Sequence, residues 1–311
     1  MFAIEVSNVE KAYKNGVKAL DRLNLCVKTG EIFSLLGQNG AGKSTLINIL
    51  TTYLKLDSGS IKILGNDIKT GSEKIRYDIA CVSQRTSIDT YLSLEENMLF
   101  QAKLYKISHD EAVKRMHKLI NAFELNQYLK YPVSSYSGGI KRRLDIALNM
   151  ISNPKILFLD EPTVGMDIQS RMAMWKIVGK IRDDFGTTIF LTTHYLEEAD
   201  HLSNTICIMK NGKEVIQGTP FELREFIKKE AIKILFKDKN QAKENIPILK
   251  KQFSKEICTV QNRSVSVGTH NSNEDLLRIN RFLLDQKIKF QGIEIIEPTL
   301  EDVFLRLTER R

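Results

Sequence analysis

Hydrophobic and polar positions along this 311-residue chain change period several times, and the changes divide it into stretches. From the N-terminus to about residue 84, short apolar runs lie between turn residues such as Leu64-Gly65-Asn66, a pattern that predicts strands. Two of these runs, Phe33 to Leu36 and Ile79 to Val82, are continuously apolar, as in a strand buried on both faces. From Ser93 to about Asn153 the period becomes helical: between Asp110 and Phe123, residues Ala112, Val113, Met116, Leu119 and Ile120 share one face, and a further helical run covers Leu144 to Met150. Buried strands return at Ile156 to Leu159 and Thr188 to Thr192. A short helix follows His194, and then Ile206 to Met209 and Glu214 to Ile216 flank Asn211-Gly212, a strong hairpin signal.

Beyond about Pro220 the pattern restarts. Strands are predicted at Ala231 to Phe236, Ile257 to Val260, Val265 to Val267 and Ile288 to Ile296, with helices at Gln241 to Phe253 and Asn273 to Asp285. This β-α-β-β-α-β order predicts a small ferredoxin-like α+β domain over 221–311. The segment Glu297 to Phe304 then places Pro before a threonine cap and an acidic first turn, with Leu300, Val303, Phe304 and Leu307 on one helix face. The reading is two domains: an α/β core over 1–220, with a helical subdomain at about 85–153, and the accessory unit, which either serves a dimer or a pump or simply caps the core.

Composition narrows the class. A formal charge of +8 raises nucleic acid or an anionic membrane surface as partners. The excess is shared between the two halves, and no basic block interleaved with aromatics occurs, so no nucleic-acid groove is expected. No run of eighteen apolar residues is present, and Met1 to Glu5 lacks a basic region followed by an apolar core, so the chain is expected neither to span a membrane nor to be secreted. Cys26, Cys81, Cys207 and Cys258 are scattered without a Cys-x-x-Cys pair and read as buried thiols of a reducing cytosol.

The strongest chemistry lies between the first buried strand and the helix predicted from Ser44 or Thr45. Gly37-Gln38-Asn39-Gly40-Ala41-Gly42-Lys43-Ser44 is a full match to the phosphate-binding loop pattern. Glycines let the backbone turn its N–H groups toward an anion, and the helix N-terminus adds its dipole. Lys43 then meets the β- and γ-phosphates of a nucleotide, and Ser44 offers a hydroxyl to Mg²⁺. At the end of the strand Ile156 to Leu159, Asp160 and Glu161 face the crevice at the carboxyl edge of the sheet. Asp160 suits Mg²⁺, directly or through water, and Glu161 suits a general base for the attacking water.

Upstream, Tyr136-Ser137-Gly138-Gly139 introduces the helical run that carries Leu144. With this motif the chain resembles the ATPase subunits of ABC transporters, closely over residues 1–220. The resemblance implies that Ser137, Gly138 and Gly139 of one subunit contact the γ-phosphate held by the phosphate loop (Gly37, Asn39, Gly40, Ala41, Gly42, Lys43, Ser44, Thr45) of another. It also implies that Gln84 reaches metal and attacking water, that His194 bonds the γ-phosphate, that Asp167 is a dimer contact, and that Tyr13 stacks on adenine. Catalysis then rests on Glu161, His194, Gln84 and Lys43, and Mg²⁺ on Ser44, Gln84 and Asp160.

Three positions depart from the commonest pattern: Tyr136 replaces leucine, and Ile140 and Arg142 replace glutamine. The Tyr-Ser-Gly-Gly-apolar form and the Glu-Pro-Thr-Leu-Glu-Asp-Val-Phe ending are similar to exporter ATPases related to daunorubicin-type drug and antibiotic resistance. The resemblance implies a type-2 exporter with ATP and Mg²⁺ bound between two ATPase subunits, identical or different. It further implies a separately encoded permease that holds the chain at the inner face of the cell membrane and docks on a segment near Thr90 to Gln101. Cargo stays open among drug, antibiotic, peptide and lipid. The alternative is a soluble ABC ATPase acting on ribosome or DNA; a single nucleotide-binding unit and no heptad insertion between Ser44 and Ser137 count against it.

Overall fold

The computed structural model describes residues 1–226, 230–253, 258–269, 271–296 and 298–309. The chain divides into two compact units, Met1–Pro220 and Phe221–Arg311.

The first unit opens with β1 (Phe2–Ala12), β2 (Lys18–Lys28) and β3 (Ile32–Leu36), then α1 (Lys43–Leu50), β4 (Ser58–Ile63), β5 (Asn66–Asp67), α2 (Ser72–Asp78) and β6 (Ile79–Val82). A helical layer follows: α3 (Leu94–Leu104), α4 (His109–Ala122) and α5 (Gly138–Met150). The unit continues through β7 (Ile156–Asp160), α6 (Ile168–Phe185), β8 (Thr188–Thr193), α7 (Leu196–Leu202), β9 (Thr205–Lys210) and β10 (Lys213–Gly218). Two sheets result. One is antiparallel with strand order β2-β1-β4-β5; the other has order β10-β9-β3-β8-β7-β6, parallel throughout except for the β9–β10 hairpin.

Period-2 alternation splits the core of this unit in two. Phe33, Leu35, Phe158 and Phe190 point from the parallel strands toward α1 and the antiparallel sheet, where the Phe33 and Phe190 rings stack at 5.1 Å. Ile32, Leu157, Leu159, Ile189 and Leu191 point the other way, onto the helical layer and α6. The β9–β10 turn holds Asn211 (φ 50°) and Gly212 (φ 76°) in the left-handed region, as a two-residue hairpin requires.

Several sequence expectations shift. The helix after the phosphate loop starts at Lys43, one or two residues early, because Gly42 serves as its N-cap. The stretch up to residue 84 contains α2 as well as strands. The long helix α6 was not foreseen. Residues 85–92 are irregular, and α3 begins at a capping box in which Ser93 and Glu96 satisfy each other's backbone N–H. Cys207 is buried, whereas Cys26 and Cys81 are only half-buried.

The second unit comprises α8 (Pro220–Glu225), which begins at the junction, β11 (Glu230–Leu235), α9 (Lys239–Gln252), β12 (Cys258–Gln261), β13 (Ser264–Thr269), α10 (Ser272–Asp285), β14 (Gly292–Ile296) and α11 (Leu300–Glu309). Its antiparallel sheet has order β12-β13-β11-β14, the ferredoxin-like arrangement. Ile232, Ile234, Val265 and Val267 meet Leu249, Phe253, Ile279 and Leu283 of the two helices. The last strand is shorter than its apolar run: Ile288 and Phe290 pack on the core from the loop before Gly292. Ile257 and Glu297, and the side chain of Cys258, lie outside the described residues.

Candidate active site

The phosphate loop spans the gap between β3 and α1. Gly40 (φ 83°) and Gly42 (φ 106°) occupy backbone conformations that a side chain resists. A methyl group on Gly42 would lie 2.4 Å from the Ala19 carbonyl, and one on Gly37 would lie 2.6 Å from that of Met209, so other backbone presses against the loop from behind. Lys43 is 5% exposed and its ammonium donates to the carbonyls of Gly37 (2.7 Å) and Gln38 (3.1 Å). Burial pulls its pKa below the ordinary lysine range, against the attraction of Glu161 and Asp160. The Tyr13 hydroxyl lies 3.1 Å from Thr45 Oγ1, and the tyrosine, 41% exposed, stands at the edge of the loop.

Opposite the loop, β7 delivers the carboxylates. Asp160 Oδ1 accepts from the Thr192 hydroxyl of β8 at 2.6 Å. Glu161 leaves the strand at φ 47°, a left-handed conformation for a side chain with a Cβ, held by its N–H donating to the Thr192 carbonyl at 3.2 Å and hydroxyl at 3.1 Å. Three predicted residues converge on its carboxylate: Gln84 Nε2 donates to Oε2 at 3.2 Å, His194 Nδ1 lies 3.3 Å from Oε1, and Lys43 Nζ lies 3.9 Å from Oε1. Phosphate loop, acidic strand end, glutamine loop and histidine loop thus meet at one carboxyl edge.

Ser137 caps α5, its hydroxyl accepting from the Ile140 N–H at 3.4 Å. Gly138 and Gly139 form the first turn, with free space around the Cα of Gly138. A cleft of about 320 Å³ joins Ser137, Gly138 and Gly139 to Gln84, Glu161 and Asp167, and no residue of the phosphate loop lines it. Asp167 itself caps α6, accepting from the Ser170 N–H and hydroxyl, both at 2.9 Å; these bonds hold its carboxyl below the ordinary range. Within one chain the Ser-Gly-Gly turn is therefore brought to Glu161 but not to the loop carrying Lys43.

Three further groups escape motif reading. Thr192 orients Asp160. Glu198, fully buried on α7, accepts from the Thr163 hydroxyl (2.7 Å) and Trp175 Nε1 (3.2 Å), tying the segment after Glu161 to the helix after His194. Arg142, flagged in the sequence only as a departure from the usual glutamine, is buried and bonds the main chain beside Gln84, at Ser83, and on either side of Glu161, at Asp160 and Pro162.

The groups fit a magnesium nucleotide. Ser44, Asp160 and Gln84 would supply hard oxygen donors of the kind Mg²⁺ prefers, and a nucleotide-bound Mg²⁺ needs no all-protein cage. Lys43 and the loop amides supply positive charge where those phosphates must lie. Fold and site together define a P-loop ATPase whose Ser-Gly-Gly turn opens the last helix of the helical layer.

The ABC transporter family matches residues 20–164. A daunorubicin resistance ATP-binding protein, DrrA3 of Streptomyces coeruleorubidus, is 34% identical over 306 residues, covering 98% of this chain and 96% of the relative. Nod factor export ATP-binding protein I of Sinorhizobium fredii is 32% identical, over 99% of this chain and 86% of its own. Among solved structures, a dimeric ATP-binding cassette in a post-hydrolysis state with ADP and phosphate superposes with a TM-score of 0.62 at 28% identity, covering 70% of this chain and 98% of that one. The chain belongs to the ABC transporter ATP-binding family and is an ATPase.

Proposed function

We propose that this chain powers an exporter as one of a pair of nucleotide-binding subunits beneath a separately encoded permease. The convergence of Lys43, Gln84 and His194 on Glu161 carries the reading, because it gathers charge, a water-orienting amide and a base at one point. ATP lies on the phosphate loop of one subunit with adenine against Tyr13, and its γ-phosphate meets Ser137, Gly138 and Gly139 of the second. Lys43 must exchange its two carbonyl partners, Gly37 and Gln38, for phosphate oxygens. Glu161 takes a proton from the attacking water, Gln84 orients that water, and His194 holds the γ-phosphate. Ser44, Asp160 and Gln84 would hold Mg²⁺, which would supply positive charge against the phosphates. Asp167 lies along the contact with the second subunit. Closure on ATP and reopening after hydrolysis drive the permease.

Similarity along nearly the whole chain to ATP-binding subunits of drug resistance and Nod factor export supports export over action on ribosome or DNA. Among the described residues no helix is long and apolar enough to cross a membrane. Membrane attachment comes through the permease in this reading, and the exposed Tyr91 and Phe100, before and along α3, offer a docking face. Residues 221–311 serve as an accessory that tunes the pair, with no catalytic group of their own.

Affinity purification of the chain from detergent-solubilised membranes, followed by mass spectrometry, tests this. A polytopic membrane protein in stoichiometric amount is expected. Ribosomal proteins or nucleic acid without a membrane partner would overturn the exporter reading.

A further inference from the structure

Arg142 lies on α5 shortly after Ser137-Gly138-Gly139 and is 5% exposed. Its planar guanidinium donates to three separate carbonyls: Nη1 to Ser83, Nε to Pro162 at 3.3 Å, and Nη2 to Asp160 at 3.1 Å. Ser83 immediately precedes Gln84, while Asp160 and Pro162 bracket Glu161. The guanidinium therefore grips the main chain beside both members of the Gln84–Glu161 pair.

Asp145, on the same helix, extends the grip. Its Oδ2 lies 3.5 Å from Arg142 Nη1, and its Oδ1 accepts from the N–H (3.1 Å) and hydroxyl (2.7 Å) of Ser87, beyond Gln84. Oδ2 has no hydrogen-bond partner, so this pair is held by charge while the guanidinium N–H groups serve the carbonyls. A buried arginine is costly unless both needs are met; here Asp145 meets the first and the three carbonyls the second.

We propose that Arg142, backed by Asp145, is a positioning residue for ATP hydrolysis. It fixes Gln84 and Glu161 to the helix that begins with Ser137-Gly138-Gly139, so that seating of this turn on a second subunit's nucleotide sets the geometry of the pair in its own chain. This rests on the site reading above. Only the arginine fork can serve three carbonyls at these separations: lysine brings a single point of donors, and glutamine one amide. The glutamine usual at this position in the family therefore cannot reproduce the arrangement, although it shows that the fold accepts an uncharged residue there.

The test compares wild type with Arg142→Gln, Arg142→Lys and Asp145→Asn in the full chain, measuring MgATP turnover and, separately, the affinity of a fluorescent ATP analogue. Displacement of reacting groups predicts a kcat loss of about tenfold or more for both Arg142 variants, a smaller loss for Asp145→Asn, and unchanged nucleotide affinity in all of them. If Arg142→Gln fails to fold, the same split in the near-isosteric Asp145→Asn decides. Unchanged kcat, or equal loss of kcat and affinity, would overturn the positioning role. A wild-type chain that bound the analogue but did not hydrolyse MgATP would instead overturn the site reading on which the proposal stands.

Discussion

The two glycine turns of this molecule are built in opposite ways. Behind the phosphate loop, the carbonyls of Ala19 and Met209 close off the space where side chains on Gly42 and Gly37 would go, and Lys43 is already satisfied by its own loop. Around Gly138 there is open space, and the Ser137 hydroxyl spends itself on one long bond to its own helix. One turn is finished by its own chain and preorganised for an anion; the other is displayed. The difference suits the proposed pairing, in which one turn holds its own chain's nucleotide and the other meets the nucleotide of a second subunit.

The largest effect expected lies where the halves meet. Glu161→Gln keeps the side chain's size and the Gln84 neighbourhood but removes the base, so turnover should fall by about 10²–10⁴-fold while ATP binding persists. Steady-state ATPase and equilibrium binding on one preparation check it; turnover at the wild-type rate would break the assignment of the base.

The two glycine turns should then respond differently to one methyl group. Gly42→Ala places it at φ 106° against the Ala19 carbonyl, which should cost about 1–3 kcal/mol of stability and abolish nucleotide binding. Gly138→Ala meets nothing within 4 Å of its own chain, so stability should stay within about 0.5 kcal/mol of wild type. Its ATPase should nonetheless fall, because in the proposed pair the methyl faces the second subunit's nucleotide. Thermal denaturation and ATPase measured side by side distinguish the cases. Full ATPase in Gly138→Ala would mean that this turn touches no nucleotide.

The smallest effect concerns the wall behind the phosphate loop. Asp21, whose N–H donates to the Gly212 carbonyl at 2.9 Å, has its carboxyl lowered to about 2 by hydrogen bonds from Lys18 and Lys213. A depressed carboxylate stabilises the fold above its unfolded pKa, near 4, and loses that contribution as pH falls toward 2. Asp21→Asn should therefore be slightly less stable than wild type at neutral pH and converge with it in acid, by denaturant titration at both pH values.

Much of this was legible because it is local. The phosphate loop, the acidic strand end and the Asn211-Gly212 turn each carry their chemistry in contiguous residues, and the ferredoxin-like order follows from alternating periods. What escaped depends on burial or on distant partners. Helix α6 buries Met174, Ile177, Val178 and Ile181 at helical spacing, but Ile168 and Met172 are exposed on its other side and blur the stripe. Ile288 and Phe290 read as strand because an apolar run looks the same whether paired or merely packed. Glu198 and Arg142 look like ordinary surface charges in the sequence; only the folded chain puts them out of water beside the catalytic segments.

The central claim is that the active site is assembled from two chains around nucleotide. Multi-angle light scattering of Glu161→Gln during size exclusion, with and without MgATP, tests it most directly. The account predicts a shift from the mass of one chain to that of two when MgATP is present. A Glu161→Gln chain that binds MgATP and still elutes with the mass of one chain would contradict assembly from two identical chains.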